Sequence, residues 1–307
     1  MAAFDPHVAV DEELRQVLVE LSRCRDPGCL VPQRHPRYLD EHGPAAPCEP
    51  VVPTRVVTGG VMVLGAYPNT RYSSRSGNHF VASADIDEPF EDSAYFDGYG
   101  VREHLSGALL ETAYLRPLGL SRSEVYVTNV VKCFLLRRPD VDGYARLRFP
   151  GADRVRPTRD DYLQVAAHCH RRWLARELAI AKPKLVICLG SEVFSIVHAS
   201  GGRPADRGVF AEVCGTLMPA NGRGHERDTR DEAGPFFGLN VVHLYHPGAL
   251  LRDEKKSLSR LHFRDHVPAV RRVLKGLGLV SGRRPRVPGP NVIEPFRTRL
   301  ANEAEDE

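Results

Sequence analysis

Four short stretches of the chain are apolar on successive positions rather than alternate ones: VMVLGAYP (61–68), VYVTNVVKC (125–133), KLVICLG (184–190) and LNVVHLYHP (239–247). Each is rich in valine and bounded by turn residues. Strands of a parallel sheet look like this, because helices cover both faces and leave no solvated side. Helical patterns lie between them. VREHLSGALLETAYLRPLGL (101–120) precedes the second strand, RDDYLQVAAHCHRRWLARELAIAKP (159–183) precedes the third, and SEVFSIVHAS (191–200) follows it. A further amphipathic helix is expected over 11–23, where Leu14, Val17, Leu18 and Leu21 share one face. The alternation predicts an α/β fold: a three-layer α/β/α domain around a central, mostly parallel four-stranded sheet.

In such sheets ligands bind beyond the carboxyl ends of the strands. Here those ends are Gly65-Ala66-Tyr67-Pro68, Asn129, Gly190-Ser191 and His246-Pro247, so the chemistry is expected along one edge. The proline- and charge-rich stretch 31–55 reads as an irregular arm. Residues 134–158 carry six arginines and loop signals, and 201–236 are glycine-rich and charged; both are expected to be insertions. The division is an arm over 1–54, an α/β domain over 55–280, and a Pro-rich tail over 281–307 that is expected to be disordered.

Composition narrows the class only modestly. The 307 residues are 42% apolar, enough for a large core, and no apolar stretch is long enough to span a bilayer. The first residues lack the basic-then-apolar order of a secretion signal, so a cytoplasmic location is expected. A net charge of +3 neither demands nor excludes a nucleic-acid partner. Seven cysteines, an odd number in a cytosolic setting, argue against a disulfide framework. Cys188, inside KLVICLG, reads as core, whereas Cys24 and Cys29 in CRDPGC are close enough to grip one metal or to be two loop thiols.

Taken in order, GAYPN (65–69), TNVVKC (128–133), KPKLVICLG (182–190) and YHPGALLR (245–252) form a pattern. It resembles the uracil-DNA glycosylase superfamily, and most closely the iron–sulfur types called families four and five. The resemblance covers about residues 55–275 together with the Cys24/Cys29 arm.

It implies a monofunctional DNA glycosylase of base excision repair that excises uracil or a related deaminated or modified base, acting as a monomer on single- or double-stranded DNA. Such enzymes flip the nucleotide out of the stack and read its edge in a pocket. Asn129 matches the base-reading asparagine, whose amide offers both a donor and an acceptor. His246 matches the histidine that donates to the departing base as negative charge develops, a role a neutral imidazole can fill. Gly65, Ala66, Tyr67 and Asn69 would line the pocket, and Phe90, in DIDEPF, would stack on the flipped base. Pro247 and Gly248 would press the DNA backbone. Leu250 or Leu251 would wedge into the vacated stack. Arg252, with Lys255 and Lys256, would contact phosphates.

The chain departs from the family in its first motif. Tyr67 stands where some relatives carry the water-activating aspartate, and Asn69 stands where some carry a tyrosine that blocks bulky bases. Asp85, Asp87, Asp92 and Asn69 are possible substitutes, with Asp87 taken as the candidate. The resemblance also implies a structural [4Fe–4S] cluster on Cys24, Cys29, Cys133 and Cys169, with Cys48 as reserve ligand and zinc as the alternative metal. Four residues separate Cys24 from Cys29, and thirty-five separate Cys133 from Cys169, both wider than the family's spacing. Two other readings remain: a non-cleaving DNA-binding module, which Tyr67 favours, and a structural iron–sulfur protein.

Overall fold

The computed structural model describes residues 6–24, 26, 28–31, 39–40, 43–44, 50–68, 72–75, 79–82, 88–96, 101–138, 141–142, 156–199, 205–219, 238–253, 255–281 and 290–296. All four expected strands are present as β1 (Val61–Gly65), β2 (Val125–Asn129), β3 (Leu185–Leu189) and β5 (Asn240–Leu244). The first three are buried at every position, as their unbroken apolar runs predict. They pair in parallel in the order β5–β3–β1–β2.

The sheet has five strands rather than four. The fifth, β4 (Leu217–Pro219), pairs antiparallel with the outer edge of β5. It lies inside the stretch expected to be a surface insertion. Three residues ending in proline carry too short a pattern to be recognised, and proline is tolerated there because the strand is an edge. Phe210, Val213 and Cys214 just before it are buried against Phe194, so this half of the insertion belongs to the core.

The alternation of side chains along β1 sorts the two helical layers. Met62, Leu64 and Ala66 face one core, and Val61 and Val63 face the other. On the first side lie α1 (Pro6–Ser22), α3 (Tyr162–Cys169, continuing through a wide turn His170–Leu174 into Ala175–Ala181) and α4 (Ser191–Val197). Helix α1 packs Val17, Leu18 and Leu21 against Trp173.

On the second side lie α2 (Ser106–Leu110, widening over Glu111–Leu115 and closing at Arg116–Leu118) and α6 (Ser257–Leu261, His262–His266, Val267–Gly276). Between β5 and α6 sits the short α5 (Pro247–Leu251). No described helix is long and apolar enough to cross a membrane.

Two expectations about loops are refined. Phe134, Leu135 and Leu136 are buried, and Leu136 and Thr158 bond each other through both backbone amides and the Thr158 hydroxyl. The arginine-rich insertion therefore closes at Leu136–Thr158, a staple that lets its interior vary without disturbing Cys133 or α3. In the tail, expected to be disordered, residues 290–296 dock on the domain. Ile293 is fully buried in the α2/α6 core, and Glu294 pairs with Lys256 at 3.1 Å.

Candidate active site

The parallel register sets Gly65 beside Asn129 at the carboxyl ends of β1 and β2. The Asn129 amide lies over the Gly65 Cα, within the space a Cβ there would fill, and the Phe90 ring comes to 2.7 Å of the same point. Glycine is thus required at 65 because the Asn129 and Phe90 side chains occupy the volume of its missing one. Asn129 is buried, and its amide makes no hydrogen bond among the described residues, which leaves its donor and acceptor for a ligand.

His246 closes this group from β5. Its ring centre is 6.2 Å from that of Phe90, and its Cβ is 3.2 Å from where a Cβ on Gly190 would be. Gly190, at φ +99, therefore permits the β3 end to pass close behind the histidine. His246 also caps α5: its Nδ1 accepts the Gly248 amide at 3.1 Å, and Pro247 fills the first helical position where no amide is needed. A ring nitrogen that accepts from an amide is unprotonated, so a neutral ring carries its proton on Nε2. Burial, helped by the Arg252 guanidinium, holds the His246 pKa down to about 4, so the neutral form prevails near pH 7. The site thus presents a neutral Nε2–H donor. The Tyr114 hydroxyl donates to the carbonyl of Tyr245 at 2.7 Å and fixes the backbone one residue earlier.

Beneath Asn129 lies a buried polar network that the sequence did not announce. Lys132 pairs with Glu177 at 2.5 Å, both essentially without exposure. Tyr126 and Thr128 donate to the same carboxylate at 2.8 and 2.9 Å, and Lys132 donates to the Thr128 hydroxyl. The motif lysine is therefore structural: it ties the turn after β2 to α3. The carbonyls of Gly65 and Ala66 accept the amides of Val130 and Val131 and hold the same turn to β1.

Not every expected residue joins the group. Tyr67 leans to the α3/α4 side, where its ring lies 6.3 Å from that of Tyr162 and under the Arg159 guanidinium at 4.7 Å. Arg159 is paired in turn with Glu192. Burial, then Glu192, raises the Tyr67 pKa to about 12, so it stays a neutral phenol. Asp92 is removed as a water activator, because its carboxylate accepts the Gly107 and Ala108 amides at the start of α2. Asn69, Asp85 and Asp87 lie outside the described residues.

Of the two leucines, Leu250 is fully buried in the α2/α6 core, which corrects its assignment as a DNA wedge. Leu251, at the end of α5, packs on the edge of the same core and stays partly exposed, so of the two it is the one with surface left facing outward. Arg252 and Lys255 are exposed beside it.

The cysteines meet only in part. Cys29 and Cys169 share a hydrogen bond, and the charge of Cys133 is felt at Cys169. Cys24 packs beside α1 and Trp173. Six cysteines are present as thiols, and Cys48 lies outside the described residues. The donors suit a thiolate-bound centre, but among the described residues no three His, Cys, Asp or Glu side chains converge on a common point.

A mostly parallel sheet with an amide, an imidazole and an aromatic ring gathered at its carboxyl edge places these groups where α/β domains bind their ligands. The profile of the Uracil DNA glycosylase superfamily matches residues 56–271, and the chain belongs to that superfamily. No curated protein matches it significantly.

Proposed function

We propose that the protein is a monofunctional DNA glycosylase that excises uracil or a related deaminated or modified base. The gathering of Gly65, Phe90, Asn129 and His246 at one sheet edge carries this reading. Phe90 stacks on the flipped base while the Asn129 amide pairs with its edge. As the bond between the base and sugar C1′ breaks, its electron pair passes to the base, and the His246 Nε2–H donates to the base oxygen that gains the charge. A neutral donor gives up no proton and so needs no return step. Water then bonds to C1′ and loses its proton. With Asp92 engaged at α2, we assign that proton to Asp87, three residues before Phe90.

Double-stranded DNA is gripped by the turn after His246, with Leu251 filling the vacated stack and Arg252 and Lys255 on phosphates. A [4Fe–4S] cluster on Cys24, Cys29, Cys133 and Cys169 belongs to the same proposal, in the manner of families four and five. The Cys29–Cys169 contact and the nearness of Cys133 support it. Its role would be to fasten the N-terminal arm to the core. Iron and labile sulfide in anaerobically purified protein, lost in Cys169→Ser, would support it; stoichiometric zinc would replace it.

One observation favours a second reading, a binding module that does not cleave: the first-motif position holds Tyr67, turned to Arg159 and Tyr162. Base release from oligonucleotides carrying uracil, hypoxanthine, xanthine or 5-substituted uracils separates the two. Abasic sites formed by the wild type and suppressed in His246→Ala and Asn129→Ala support excision. Intact binding without release from any of them supports the module.

A further inference from the structure

The loop that carries Phe90 is held in an unusual backbone state. Phe90 has φ +59, a left-handed conformation that a residue with a Cβ adopts rarely and at a cost. Such a conformation persists only where the surroundings over-determine it, and the surroundings here do so from both sides. Before Phe90, Arg122 donates to the carbonyl of Pro89 and pairs with Glu88 at 3.3 Å, while Glu88 also accepts the Thr54 hydroxyl. After Phe90, Asp92 accepts the amides of Gly107 and Ala108 at 2.7 and 2.9 Å. A Cβ on Gly107 would lie 2.6 Å from the Phe90 carbonyl, so only glycine lets α2 come this close.

Arg122 is itself fixed. It sits on the turn Arg122–Glu124, where the Glu124 carboxylate accepts both the amide and the hydroxyl of Ser121. Its side chain is 18% exposed, which is low for an arginine and leaves its charge answered mainly by Glu88.

We infer that Arg122 is a positioning residue for base excision: with Glu88 and Asp92 it locks Phe90 into its strained state, so that the ring stands over Gly65 and Asn129 before the base arrives. The inference rests on the glycosylase reading. A stacking ring fixed in advance spares the ordering that a mobile loop would undergo on binding and sets the base against His246. The arrangement needs no contact between Arg122 and DNA.

The test is a double-mutant cycle on single-turnover base release, with Arg122→Met, Phe90→Ala and both, and Arg122→Lys as the conservative variant. Arg122→Met should lower release about tenfold or more, with Arg122→Lys partly rescuing it. In the Phe90→Ala background the same change should cost less than about twofold, since the ring it positions is gone. Melting temperatures supply the second readout. Phe90→Gly and Phe90→Ala both lose the ring's packing. Phe90→Gly should nonetheless melt above Phe90→Ala, because glycine takes the left-handed φ without strain. The difference should shrink beside Arg122→Met, where the loop is already relaxed. Additive activity losses, or a Phe90→Gly chain no more stable than Phe90→Ala, overturn the clamp while leaving the glycosylase reading intact. A wild-type chain that releases no base overturns that reading and the positioning role with it.

Discussion

The hydroxyl of Tyr114 donates to the carbonyl of Tyr245 at 2.7 Å, joining the middle of α2 to the strand end that presents His246. Tyr114 is buried and far from His246 in sequence, and it reaches the strand end through the Tyr245 backbone carbonyl. Tyr114→Phe removes one hydrogen bond at a cost of about 1 kcal/mol in stability. Base release should fall by about tenfold, because a small displacement of a catalytic donor is costly. Melting and single-turnover rates measured together check this; an unchanged rate would separate Tyr114 from the positioning of His246.

Gly65→Ala should be more damaging than its size suggests. The added methyl meets the Asn129 amide and the Phe90 ring, neither of which can retreat without leaving the pocket. A stability loss of about 1–3 kcal/mol, as for other overpacked sites, should accompany near-complete loss of release. Gly59→Ala, with open space around its Cβ but φ +66, is the control for backbone strain alone. Comparable activity in the two variants would argue against crowding in the pocket.

Leu250 and Leu251 should behave differently. Leu250→Ala opens a cavity in the α2/α6 core and should cost about 2–5 kcal/mol. Leu251→Ala, at a position partly exposed but packed on the edge of the same core, should cost less, about 1 kcal/mol. It should slow release from duplex substrates more than from single strands, where no stack has to be held open. Equal losses on both substrates would deny Leu251 the wedge role.

The Lys132–Glu177 pair offers a test of buried charge. Lys132→Met alone leaves the Glu177 carboxylate buried without its cation and should cost about 3–5 kcal/mol. Adding Glu177→Leu should recover most of that loss. Denaturant midpoints of the single and double variants decide it, and a double variant no better than the single would show that Tyr126 and Thr128 depend on the carboxylate.

Acid should destabilise the fold through histidines buried in neutral form. Burial, with help from His198, pushes the His243 pKa down to about 3; burial, with help from His266, pushes His262 down to about 4 against the pull of its bond to the Ala113 carbonyl. Both values lie below that of an unfolded histidine, about 6.5, so the unfolded chain binds more protons. The associated stability is therefore complete above about pH 6.5 and is lost as pH falls toward 4, by roughly 3 kcal/mol or more for each ring. Denaturation at pH 7.5 and pH 5, followed by the single tryptophan, Trp173, measures the loss. His262→Gln should flatten the slope; an unchanged slope would assign the proton uptake elsewhere.

The parts of the molecule legible in the sequence are those written as local patterns. The valine-rich runs of β1, β2, β3 and β5 name themselves, and because a parallel sheet lines up its strand ends, they also bring Gly65, Asn129 and His246 to one edge. What escaped was set by tertiary partners. Arg122 looks like any polar turn residue until Pro89 and Glu88 arrive beside it. Lys132 looks like a surface lysine until Glu177 comes from α3, forty-five residues on. Leu250 and Leu251 are chemically alike, and only the direction of α5 decides which is core.

Helix α2 touches both jaws of the pocket. Its first amides hold Asp92 and thereby the loop of Phe90, and its widened turn holds Tyr245 and thereby His246. The gap between the Phe90 ring and the His246 imidazole is therefore set by a single helix rather than by two independent loops. A change that slides or tilts α2 would alter both faces of the site in concert, so under the proposed function the breadth of bases admitted would drift without any residue that meets the base being replaced.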